Sequence, residues 1–253
     1  MTSRDEALQA LTGHITELRR RILWAATAMI AGMLICWVFK EQIYGFLVAP
    51  LAVAMDNGGG TNRLIYTGLT EAFFTYLRVT FFAGCFLTFP ILLSQIWMFV
   101  APGLYKNEKK IFLPYLIATP LLFFVGGALV YYMVIPMAWP FFLSFQSTGG
   151  ETALPIQLEA RVGEYLDLVM TLICAFGLCF QLPVLLSLLA HAGVVGAQTL
   201  RNVRKYAIVA IFIVAAVITP PDVFSQFALA LPIWGLYELS IFLVARIEKG
   251  RHA

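Results

Sequence analysis

Charge is scarce in this chain. Only 12% of its 253 residues are Asp, Glu, Lys or Arg, while 60% are hydrophobic, a balance far from that of an average soluble domain. Cysteine is scarce too: Cys36, Cys85, Cys174 and Cys179 all fall inside apolar runs. That placement argues against a disulfide framework, and no pair of them has metal-ligand spacing. His14 and His191 have no partner at ligand spacing along the chain. There is no glycine-rich phosphate loop, no pair of histidines at i and i+4, and no serine flanked by glycines as a nucleophile elbow. The residue sets for common metal, phosphate and nucleophile chemistry are therefore missing. The expectation is a non-enzymatic protein without a cofactor.

The few charges are arranged. Of 17 basic residues, most sit in four clusters: Arg4 with Arg19, Arg20 and Arg21; Lys106 with Lys109 and Lys110; Arg201 with Arg204 and Lys205; Arg246 with Lys249 and Arg251. Apolar runs fall between the clusters in pairs, and the loops on the other side hold only Lys40, Arg63 and Arg161. Short loops rich in Lys and Arg stay in the cytoplasm, so this alternation predicts cytoplasmic termini. The clusters are short and topogenic, which gives no footprint for nucleic acid. Lys40, Glu41 and Gln42 follow the first run where a signal peptide would carry small residues, which speaks against a cleaved leader.

The pattern predicts an all-α membrane protein, a single polytopic domain over 1–253 with six transmembrane helices at about 22–39, 72–100, 111–135, 163–190, 206–219 and 223–244. Leu8, Leu11, Ile15, Leu18 and Ile22 recur at helical spacing, so residues 1–21 are expected to form a basic amphipathic helix on the cytoplasmic surface. The run 206–219 amounts to only ~21 Å of helix and ends at Pro220 and Pro221, so the last two helices are expected to be short and to thin the bilayer. Pro90, Pro114, Pro120 and Pro183 punctuate the longer spans. Kinks at these positions predict a concave bundle.

Several polar residues need an explanation. Glu17 can pair with Arg20 or Arg21 along its own helix. Glu108 follows a good N-cap, Asn107, where a helix dipole favours an acid. Either acid can instead hold a partner's arginine through a planar fork. Gln181 lies deep in the fourth span and must face protein or water. Glu238 is also deep, and Arg78 lies inside the second span, where snorkelling is expected. A polar pathway of Arg78, Gln181 and Glu238 supports an alternative reading, a small-molecule or ion transporter, although no internal repeat is visible.

Four stretches carry a resemblance. They are His-Ile-Thr-Glu-Leu-Arg-Arg-Arg at 14–21, Phe-Val-Ala-Pro-Gly-Leu-Tyr-Lys-Asn-Glu-Lys-Lys at 99–110, Ala-Phe-Gly-Leu-Cys-Phe-Gln-Leu-Pro at 175–183 and Ile-Thr-Pro-Pro-Asp-Val-Phe-Ser-Gln at 218–226. In order, spacing and topology the chain resembles the TatC family, multi-spanning receptors of the twin-arginine protein translocase. The resemblance implies a cytoplasmic site for the paired arginines of a folded cargo's signal peptide, at Glu17, Arg19, Phe99 and Glu108. It implies partner-helix or translocation roles for Pro50, Gln181, Asp222 and Gln226. Relatives often carry glutamate where this chain has Gln181. It further implies single-span partners of the TatA and TatB type, self-association in a larger complex, a bacterial cytoplasmic membrane and transport driven by the proton motive force.

Overall fold

The computed structural model describes residues 3–58, 63–104, 109–146, 158–219 and 223–252. Glu108 and Asp222 lie outside these residues, as does the side chain of Phe99. Among the described residues every regular element is helical. The order is α1 (Ser3–Val38), α2 (Lys40–Gly58), α3 (Glu71–Leu104), α4 (Lys109–Leu129), a π-helical turn (Val130–Val134), α5 (Ile135–Leu143), α6 (Val162–Cys179), α7 (Leu182–His191), α8 (Ala197–Ile218) and α9 (Val223–His252). One parallel bridge, Ile65 to Arg161, is the extended contact within this set.

Among the described residues five stretches are long and apolar enough to cross a membrane: Thr12–Val38, Glu71–Ile96, Pro114–Leu143, Val162–His191 and Gln226–Gly250. They correspond to five of the six apolar runs. The run at 206–219 falls on α8, which ends at Ile218 and is not among the five. The last two helices are not short as expected: α8 has 22 residues, because it begins ahead of the apolar run at Ala197, and α9 has 30, because it continues to His252. The amphipathic segment and the first run form one helix, with no break at Arg21. The third stretch extends to Leu143, beyond the boundary at 135, because its helix continues through the π turn into α5. The fourth divides at Phe180 and Gln181. Pro183 has no N–H to offer Cys179, and the Gln181 N–H turns to the Leu178 carbonyl at 3.0 Å. The end of α7 is built on glycine: Gly193 has φ 74°, and Val194 N–H closes on Leu189 O at 2.9 Å, so the last carbonyls are satisfied.

The chain forms two compact units. The first contains residues 1–43 and 77–120, so it joins α1 to the later part of α3. These helices cross backbone to backbone. A Cβ on Gly84 would stand 2.7 Å from Met33 N and 2.8 Å from Met33 Cα, and one on Gly32 would meet Gly84 O at 3.1 Å. Small residues permit such an approach between membrane helices, where dispersion replaces the hydrophobic effect. Thr88 donates to Gly84 O at 2.7 Å beside the crossing.

The second unit contains residues 44–76 and 121–253. Its buried stripe on α9 is Leu229, Ala230, Ile233, Tyr237, Ser240, Ile241 and Val244, the three- and four-residue spacing of a single helical face. That face packs on α7 and α8. Leu166, Val169 and Phe176 of α6 are fully buried, and α6 also packs on the π turn.

Candidate functional site

In the first unit, Glu17 projects from α1 into a cavity of about 360 Å³ lined also by Arg20, Arg21, Trp24, Gln95 and Met98. A guanidinium already holds it. Arg21 Nε donates to Glu17 Oε1 at 3.1 Å, and Nη2 of the same fork approaches the same oxygen more closely. Of the two possible partners along the helix, Arg21 is the one engaged. The carboxylate is still 38% exposed, so solvent and ligands can reach it. Arg19 opens on a neighbouring cavity with Thr16, Arg20, Leu23, Trp24 and Thr27. Arg20 and Trp24 line both. Phe99 follows Met98 directly on α3. Sequence patterns do not single out Trp24, Gln95 or Met98. Only the α1–α3 crossing brings residues so distant in the chain to one cavity.

The remaining candidates lie in the second unit. Pro50 sits inside α2. Gln181 occupies the joint between α6 and α7, where its Nε2 donates to Gly177 O at 3.2 Å. Gln226 on α9 donates to Phe212 O on α8 at 3.2 Å, beside the edge-on contact of Phe212 with Phe227.

Glu238, a deep acid in the sequence, is paired. Arg204 of α8 holds it with both prongs, Nε to Oε1 at 2.7 Å and Nη2 to Oε2 at 2.8 Å. Two further ties join the same helices. Tyr237 donates to Leu200 O at 2.8 Å, and Glu248 accepts from Ala197 N–H at 3.0 Å, capping α8 from the neighbouring helix. A Cβ on Gly196 would meet that carboxylate at 2.6 Å, so glycine makes room for the cap.

A second polar cluster gathers around the Ile65–Arg161 bridge. Glu71 accepts from the N–H groups of Thr67 at 2.9 Å and Gly68 at 3.2 Å. Arg161 pairs with Glu164 at 2.7 Å and with Glu71 at 3.5 Å, and donates to Thr67 Oγ1 at 2.8 Å. Arg63 pairs with Glu159 at 3.1 Å. The two arginines of the proposed outer loops are thus neutralised locally. Among the described residues no group of three or more His, Cys, Asp or Glu could hold a metal ion.

Known proteins share this sequence over almost its whole length. Residues 13–232 match the family described as TatC, Sec-independent protein translocase protein. A TatC of Magnetococcus marinus is 50% identical over 241 residues, covering 95% of this chain and 86% of the relative. That of Rickettsia prowazekii is 45% identical and covers 96% of each. The crystal structure of a twin-arginine translocase receptor, TatC, superimposes with a TM-score of 0.76 at 34% identity, over 93% of this chain and 99% of that one. The chain belongs to the TatC family of Sec-independent protein translocase proteins, and is a membrane-embedded component of twin-arginine transport.

Proposed function

We propose that this chain is the core receptor of a twin-arginine export system in a bacterial cytoplasmic membrane. In this reading it is one polytopic domain of six spans, several of them bent at prolines, with both termini in the cytoplasm and α8 supplying the fifth span. It binds the signal peptide of folded cargo on its cytoplasmic face and carries out no covalent chemistry of its own. It then assembles TatA- and TatB-type single-span proteins and further copies of itself, and the proton motive force drives transport. Gln181 and Gln226, with Pro50 and Asp222, serve the partner-helix and translocation steps.

The observation that carries the reading is the guanidinium already seated on Glu17. A carboxylate that accepts the Arg21 fork at the mouth of a cavity is chemically suited to accept an arginine from a peptide. Trp24 and Met98 supply apolar walls that partly dehydrate the contact. Glu108 would take the second arginine of the pair, with Arg19 and Phe99 flanking. The transporter alternative relies on Glu238, which is committed to Arg204.

The test is site-specific photocrosslinking of a twin-arginine signal peptide to the chain in membranes. Glu108→Lys should abolish the crosslink while leaving insertion and partner assembly intact. Glu108→Asp should retain part of it, because charge survives and reach shortens. Normal crosslinking and export by Glu108→Lys would refute the arginine-binding role.

A further inference from the structure

Proline in a helix leaves a specific atom without its partner, the carbonyl four residues earlier. In α2 the proline is Pro50 and the carbonyl belongs to Phe46. A buried carbonyl rarely stays unpaired, because its lost hydration is costly. Here a side chain from another helix takes it up. The hydroxyl of Tyr131, in the π turn, donates to Phe46 O at 2.6 Å. Its ring also stacks on the Phe46 ring, with centroids 4.2 Å apart and planes 7° from parallel. One residue along, the Tyr165 hydroxyl on α6 donates to Leu47 O at 2.8 Å. Tyr131, Tyr165, Leu47 and Leu51 are all buried.

The π turn has its own part in this. A π turn places one more residue in the turn than an α-helix does, which offsets the faces before and after it. Within it Tyr131 is buried, while the adjacent Tyr132 is 71% exposed.

We infer that Tyr131 and Tyr165 are positioning residues that grip α2 at Pro50, Tyr131 through the carbonyl that the proline frees, and that export depends on this grip. The export part rests on the function proposed above; the grip itself does not. Pro50 thereby acquires a physical role, because its missing N–H leaves the Phe46 carbonyl as an acceptor for a neighbouring helix.

The experiment is a double-mutant cycle on the full chain, read by thermal melting in detergent and by export of a folded reporter bearing a twin-arginine signal. Tyr131→Phe keeps the stacked ring and removes only the donor. With Pro50 present it should lower the melting midpoint by about 2–4 °C and cut export several-fold. With Pro50→Ala, the new N–H at position 50 can reach the Phe46 carbonyl, so Tyr131→Phe should cause no further fall in either readout. Tyr165→Phe is the internal control. Its acceptor, Leu47 O, is not the carbonyl that Pro50 frees, so its cost should be the same in both backgrounds. Equal losses from Tyr131→Phe with proline and with alanine would overturn the grip, and so would rescue of both tyrosine variants. Coupled melting with undiminished export in every variant would overturn the positioning role. A wild-type chain that exports no reporter would count against the proposed function instead, and the melting cycle would still decide the grip.

Discussion

Glu17 already holds a guanidinium from its own helix, so in the proposed receptor the binding of a signal peptide is an exchange. The resident pair is an i, i+4 contact with a partly exposed carboxylate, and such pairs contribute only about 0.3–0.5 kcal/mol. A peptide arginine held in the cavity makes a charge-assisted contact of ~1.5–3 kcal/mol, so the incoming group wins. Two consequences differ in sign. Glu17→Gln should weaken binding of a labelled twin-arginine peptide by about tenfold or more. Arg21→Gln removes a competitor worth only that small resident energy and should tighten binding about twofold. Fluorescence anisotropy on the detergent-purified chain measures both. Weaker binding by Arg21→Gln would mean that Arg21 helps to hold the peptide rather than stands in for it. From its own segment Glu17 reads as an intrahelical partner of Arg20 or Arg21, and the pair with Arg21 is what forms; only the family resemblance marks it in sequence as a site candidate. Its cavity is not legible there, because Gln95 and Met98 are ordinary residues until α3 crosses α1.

That crossing is decided by glycine. Met33 backbone atoms stand where a Gly84 side chain would go, and backbone cannot rotate aside. Gly84→Val should therefore force α1 away and cost about 1–3 kcal/mol, the usual scale for overpacking. Gly235 on α9 has nothing within 4 Å of its would-be Cβ. Gly235→Ala should be neutral or stabilising by up to about 1 kcal/mol, since glycine is a poor helix former. Thermal melting of the two variants side by side tests the distinction, and equal destabilisation would contradict it. Helices of this kind are readable from hydropathy, but the buried stripe of α9 is not, because apolar residues lie on every side of that helix and only its packing on α7 and α8 selects one face. Nor are pairings between elements. Glu238 looks like an isolated intramembrane acid in sequence because its partner, Arg204, lies 34 residues earlier. Nothing in the sequence distinguishes Tyr131 from the other tyrosines, and nothing marks the π turn that holds it.

At the level of the whole chain, topology rests on charge. Basic clusters at four places favour the cytoplasm, and the two arginines that the proposed topology puts on the opposite side are each matched by acids, Arg63 by Glu159 and Arg161 by Glu71 and Glu164. A reporter enzyme that is active only outside the cytoplasm should be active when fused after Gln146 and silent when fused after Gly196 or Arg251. Activity at Gly196 would reverse the assignment of that loop.

The bridge from Ile65 to Arg161 sets a schedule for making the protein. Its flanking pair, Arg63 and Glu159, stand 96 residues apart. At a synthesis rate of about 5–20 residues per second, roughly 5–20 s pass between the appearance of the first residue and the second. During that interval Ile65 has its N–H and carbonyl bonded to water, and Arg63 is without its acid. Closure comes only after α3, α4 and α5 have been made, so the fastening that binds the early segment to the later one waits for three intervening helices. A nascent chain halted before residue 159 would carry that early segment open.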